Sequence, residues 1–407
     1  MSDDDTTHIG RRIREVRAWR GMSIRAAAEL AGLTHGYLAQ IERGEKPVSM
    51  RQTLEGVARA LRVAPTELTG LPWTMSGVQT SEPHAAVSAV EDALAEVELG
   101  ERPEGVDPRP FPALAQDVDR LANELHQSGD YAAQGELLPP LLYELHAAYV
   151  DQPARRRDVL LALMDTYHRA TLMTKNLGIR GLPSLAAHHA RRVADELDAP
   201  VWHAMAVYLR TLAAGSAGRA RQHTLAVRAA DELRPQLDNS DAAQVYGMLQ
   251  LHAALAMASQ GRGDETRDHL AEAETLAGRM DAEVGDFGGL YFGRANVGVW
   301  RVSLHTELGE GGRVAELARG VHAEALPSRV RRAMYHADLG RALAGQRATR
   351  EQSIDALVTA EQIAPQRIRN NLLVRETVSD LLSRARRDAG GRELRGLAWR
   401  MGVAPVG

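Results

Sequence analysis

An all-α protein is expected from the 407 residues, and three observations point there. Long stretches are rich in Ala, Leu, Arg and Glu, which favour helix. Strand-forming runs of Val, Ile, Thr and aromatics are nearly absent, with aromatics at only 4%. Apolar residues recur at helical spacing, beginning with Ile9, Ile13 and Val16. The hydrophobic fraction of 44% and mean hydropathy of −0.30 describe a chain that can bury a large core. At this length one core is not enough, so two or more folding units are expected.

Charge separates those units. The whole chain carries −4, yet residues 8–70 hold 11 Lys and Arg against 6 acids, a surplus of +5 that leaves −9 for the rest. A basic head on an acidic body fits phosphate binding confined to one end. The absence of cysteine excludes disulfides, Cys-based zinc sites, iron–sulfur clusters and thiol catalysis. No apolar run reaches the ~20 residues of a membrane span. The acidic start at Asp3, Asp4 and Asp5 is unlike a secretory signal. A cytoplasmic protein with no membrane partner is expected.

Residues 1–7 read as a disordered acidic N-terminus and 8–70 as five short helices. The first carries Ile9, Ile13 and Val16 and stops at Gly21. Ser23 caps a second, which runs to Ala31; Gly32 supplies a left-handed turn. Thr34 caps a third ending at Gly44, a fourth spans 49–61, and Pro65 opens a short fifth. Ala28 sits where two helices cross closely, and Leu33, Leu38 and Ile41 point back into the core. A small residue, a glycine and two apolar residues at these offsets suit a two-helix DNA-reading unit.

Through "MSIRAAAELAGLTHGYLAQIERGEKPVSMRQTLEGVARALRV" this segment resembles the Cro/phage-repressor-like (XRE) helix-turn-helix family. The resemblance covers the five-helix domain, about 15% of the chain. It implies that the third helix enters the major groove of operator DNA, with Thr34, His35, Gly36, Tyr37 and Gln40 at base edges. Gln40 can pair with adenine, and His35 can donate to or accept from a base. Gly36 departs from the usual polar side chain there, so readout is expected to be sparser. Arg25, Arg43 and Lys46 are expected at phosphates. Arg17 and Glu42 match a family ion pair and read as structural. The alternative for each polar residue is a solvated surface side chain.

Residues 71–112 read as a linker with one helix, 85–98, followed by a Pro-rich loop. From 113 to 407 helix follows helix, with turns near Gly129, Gly178, Gly218, Gly261, Gly309 and Gly345. Pairs recurring every 36–49 residues suggest an α-solenoid. "YGMLQLHAALAMASQGRGDETRDHLAEAETLA" and "YHADLGRALAGQRATREQSIDALVTAEQIAP" look like degenerate tetratricopeptide (TPR) repeats, although the spacing departs from the regular ~34 residues. The fold expectation is therefore an all-α chain: a five-helix helix-turn-helix domain followed by a TPR-like α-solenoid.

A helix-turn-helix head on a TPR-like body resembles bacterial regulators whose repeat domain dimerises and senses a ligand, often a peptide. A quorum-sensing type of repressor is one expectation from that resemblance. Arg294, Asn296 and Asn370 are candidates for lining an effector groove; alternatively Tyr291 and Trp300 pack while Asn and Arg satisfy helix ends. The fifteen histidines show no HExxH spacing, and adjacent His188 and His189 face different ways on a helix. GxxxxGK[ST] and GxSxG are absent as well. No enzyme, metal or cofactor is expected. The partners expected are double-stranded operator DNA, a second copy as homodimer, and a peptide or small-molecule effector. A protein-interaction scaffold and a constitutive repressor with a non-sensing body remain alternatives.

Overall fold

The computed structural model describes residues 9–69, 83–214, 218–385 and 391–403; the expected disordered segment 1–7 and the linker stretch 71–82 lie outside them. Every regular element among the described residues is helical. None of these helices is long and apolar enough to cross a membrane.

The head consists of α1 (Ile9–Trp19), α2 (Ile24–Ala31), α3 (His35–Glu42), α4 (Arg51–Ala60) and α5 (Pro65–Thr69). Ser23 and Thr34 cap α2 and α3 by accepting from the N–H groups of Ala26 (3.1 Å) and Tyr37 (3.2 Å). Gly32 turns between them at φ +70. Gly56 is the price of the tight α2–α4 crossing, because a Cβ there would lie 2.8 Å from the Ala31 carbonyl oxygen. Two boundaries differ from expectation. The third helix stops at Glu42 because Gly44 already takes φ +74. The fourth starts at Arg51 rather than 49: the Ser49 carbonyl accepts from Arg341 (2.8 Å), and Met50 stays extended.

The linker helix α6 is shorter than expected, Val87–Glu96. After it, α7 (Phe111–Asp119) continues through a π-turn (Arg120–Leu125) to His126–Ser128. Then come α8 (Tyr131–Asp151), α9 (Arg156–Asn176), α10 (Leu182–Leu197), α11 (Pro200–Ala213) and α12 (Arg219–Leu233). The series continues with α13 (Ser240–Ala258), α14 (Gly263–Gly278), α15 (Arg294–Glu307), α16 (Gly311–Ala318), α17 (Arg329–Leu343) and α18 (Arg350–Ile363). The chain ends with α19 (Pro365–Arg369), α20 (Leu372–Ala385) and α21 (Arg392–Arg400).

From α9 to α18 each helix packs on the next, and α9, α11, α13, α15 and α17 also touch one another in succession. One helix of each pair therefore forms an inner row and its partner an outer one, which is TPR-like stacking. The inner helix α13 is buried along almost its whole length. The array curls until its start meets its end. Gln366 accepts from the Tyr131 N–H (2.7 Å) and donates to Asp130 (3.1 Å), while Gln127 donates to the Tyr291 hydroxyl (3.1 Å).

The head is clamped to this array at the start of α4. Glu307, with no exposed side-chain surface, accepts from the Arg51 N–H (3.2 Å) and pairs with the Arg51 guanidinium and with Arg341 (2.9 Å). Arg341 also binds Asp338 at 2.7 Å. A second buried pair joins Glu55 of α4 to Arg219 of α12 at 2.7 Å. Leu372 packs against the head's apolar core. Burial opposes ionisation of Glu307, but Arg51 and Arg341 hold its carboxyl below the ordinary value.

Buried pairs add little net stability, yet removing one partner strands the other charge. Glu307→Ala is expected to lower the unfolding free energy of the full chain by about 3 kcal/mol in urea denaturation. An unchanged midpoint and slope would show that Arg51 and Arg341 had found solvent instead. Glu376, beside the Val48 N–H, is a different case: burial pushes its carboxyl up to about 7, and one of its oxygens has no partner. Its ordinary value is 4.5, so between there and 7 the folded chain holds the extra proton. Stability therefore falls as pH rises through that window, by up to about 3 kcal/mol. Glu376→Gln is expected to flatten this slope and to melt above the parent near about pH 8; parallel melting curves of the two proteins against pH would contradict it.

Candidate DNA-reading face and effector cavity

The third head helix divides its residues by face. Leu38, Ala39 and Ile41 are buried, while Thr34, His35 and Gly36 stand exposed at its N-terminus and Gln40 is half-buried beside them. Capping by Thr34 fixes the first turn, so the exposed end is presented with its backbone already ordered. Arg17 donates to Glu42 through Nε (2.6 Å) and Nη2 (2.8 Å), and to the Met22 carbonyl (2.7 Å). That locks the end of α1 to the end of α3 and leaves no free carboxylate there.

The remaining candidates for DNA contact lie in three settings. Arg25 is exposed on α2. Arg43 is exposed, with its guanidinium on Glu45 at 2.6 and 2.8 Å. Tyr37 and Lys46 line the crevice between head and array, together with Asp380 and Arg384. The array thus already occupies one flank of the reading helix.

Inside the array the inner helices enclose a cavity of about 220 Å³. His168 and Lys175 of α9, Tyr208 of α11, His252 of α13, Asn296 and Trp300 of α15 and Arg331 of α17 line it, with Arg367 of α19 at one end. Arg51 from the head and Arg219 reach the same space. Among the described lining residues Asp338 is the one carboxylate, and Arg341 already holds it. His168 and His252 are pushed well below the ordinary imidazole value, by burial first and by neighbouring cations second. Both imidazoles are neutral, so the positive charge comes from lysine and arginine.

Of the three effector candidates, Asn296 alone lines this cavity. It donates to the Leu290 carbonyl (3.1 Å) and accepts from Arg331 (2.7 Å), which lies 5.0 Å over the Trp300 ring. Arg294 is exposed and donates to the Met280 carbonyl (2.6 Å). Asn370 donates to the Gln366 carbonyl (2.7 Å). These two donate to backbone carbonyls. Sequence reasoning missed Lys175, Arg331, Arg219 and Arg51. One signal was available, because Lys46 and Lys175 are the only two lysines in a chain where arginine supplies the other basic residues. No group of three His, Asp or Glu residues among the described residues could hold a metal.

No curated protein sequence matches the chain. Among solved structures it is similar to ComR from Streptococcus suis (13% identity, 94% of this chain and 96% of that one, TM-score 0.26). It is also similar to S. thermophilus ComR in complex with DNA and its signalling peptide ComS (13%, 86% and 99%, TM-score 0.27). A third is Bacillus thuringiensis PlcR in complex with the peptide PapR7 and DNA (14%, 86% and 100%, TM-score 0.22). At these TM-scores the chains do not superpose as whole molecules. Residues 8–71 match the helix-turn-helix domain family, so the head is a helix-turn-helix domain.

Proposed function

We propose that this chain is a cytoplasmic, sequence-specific transcriptional regulator that binds operator DNA as a homodimer and holds a peptide or small-molecule effector in the array's cavity. The observation that carries the reading is Arg51: it opens α4, the helix that directly follows the reading helix, and its side chain also forms part of the cavity wall. An effector in the cavity therefore meets a residue of the DNA-binding head directly.

His35 and Gln40 are the base-reading residues in this proposal, with Thr34, Gly36 and Tyr37 beside them and Arg25, Arg43 and Lys46 on phosphates. One head covers too little surface for tight binding alone, so two are needed, about 34 Å apart or at a longer spacing set by the body. The effector acts from the wall it shares with Arg51 and Arg219, the cations that grip Glu307 and Glu55, and disturbs that grip. Loosening that grip frees the flank of the head where Tyr37 and Lys46 now face the array.

Fluorescence anisotropy of the full-length protein against its own promoter, at two salt concentrations, tests the DNA-binding half. Tight binding that weakens with salt is expected, and a His35→Ala/Gln40→Ala variant is expected to lose at least roughly tenfold. Weak binding, equal for random DNA and unchanged in the variant, would favour an interaction scaffold. The coupling half has its own test. Glu55→Gln weakens the clamp without touching the reading helix, and is expected to raise promoter affinity by roughly fivefold. An affinity equal to the parent's would mean that the clamp does not restrain the head.

A further inference from the structure

Three cations in the cavity lack a counter-charge. Lys175 and Arg367 have no hydrogen-bonded or ion-paired partner among the described residues, and Arg331 bonds only to the neutral Asn296. Arg51 and Arg219 also bear on Lys175, but each is engaged by its own glutamate. Lys175 lines the cavity and keeps much of its side-chain surface accessible. Leu172, Leu212, Met248 and Val299 complete a wall of apolar surface between these groups.

Cations gathered along one cavity without a counter-charge repel one another, and a wall that served only for packing has no need to collect them. Enclosure by the wall and the surrounding guanidinium groups pull the Lys175 amine down to about 7. Donors without acceptors call for a ligand that brings acceptors and negative charge.

We infer that the cavity is built for a compact anion, a carboxylate or phosphate carried on an apolar body, held by Lys175, Arg331 and Arg367. This inference rests on the reading of the cavity as an effector site and names the ligand's chemistry. The small volume admits a short acyl chain, or the last residue of a peptide bearing a free C-terminal carboxylate; both sources present the same group.

Thermal unfolding of the full-length protein tests it without knowledge of the natural ligand. The probes are decanoate, its neutral counterpart decanamide, inorganic phosphate, and a short leucine peptide with either a free or an amidated C-terminus. The variants are Lys175→Met and Arg367→Met. Without ligand, each variant is expected to melt no lower than the parent, because a cation without a counter-charge has gone. At least one anionic probe is expected to stabilise the parent, and its dissociation constant is expected to weaken at least roughly tenfold in each variant. Decanamide and the amidated peptide are expected to bind no more tightly in the parent than in the variants. A response to decanoate or phosphate points to a free anion, and one confined to the free-carboxylate peptide points to a peptide terminus. Variants that melt below the parent, equal binding of charged and neutral probes, or no response to any anion would each overturn the inference. Repeating the promoter titration with the bound probe separates the two readings: anion binding that leaves DNA affinity unchanged keeps the anion site and removes the effector role.

Discussion

One buried carboxylate organises the molecule. Glu307 ends α15, an inner helix of the array, and holds Arg51 at the first turn of a head helix and Arg341 of α17. A carboxylate with no exposed surface persists only because two guanidinium groups and a backbone N–H surround it. Its geometry sets where α4 begins, and the displacement of that boundary from 49 to Arg51 is the local trace of the constraint. Because α4 crosses α2 closely at Gly56, fixing one end of α4 fixes the orientation of the whole head.

The same helices that fix the head enclose the cavity. Each inner helix contributes an apolar stripe and one or two polar groups, and their spacing along the array brings Lys175, Arg331 and Arg367 together from widely separated stretches of sequence. Charges on the outer helices pair locally, as Arg191 with Asp195 and Arg228 with Glu232 do at four-residue spacing. The inner cations differ in having no such neighbour. The like charges of these three are answered by no carboxylate of the wall, since Asp338 is already held by Arg341.

The head was legible in the sequence because its determinants are local. Ser23, Gly32 and Thr34 specify caps and a turn within a few residues, and each acts at the place its chemistry requires. The helix pairs were legible for the same reason, with Gly178, Gly261 and Gly309 marking turns that the fold uses. The cavity was not. Arg294, Asn296 and Asn370 were singled out by local composition, but only Asn296 points inward, because facing depends on how each pair stacks on the next. Lys175 lies in an ordinary amphipathic stretch and Arg51 in the head, so nothing in either neighbourhood announces a shared site. Closure of the array by Gln366 on Asp130 and Tyr131 spans more than half the chain and has no local signature.

That closure alters how the array comes apart. An open stack of helix pairs frays from its ends, since each terminal pair has a neighbour on one side only and unfolding can advance one repeat at a time. Here the beginning of the stack rests on its end, so neither is terminal. Loss of any one pair removes support from two others, and the repeats gain a mutual dependence that their sequential contacts alone do not provide. Loosening near Tyr131 is therefore opposed by the segment around Gln366 as well as by its neighbour in sequence, a coupling that an open stack lacks.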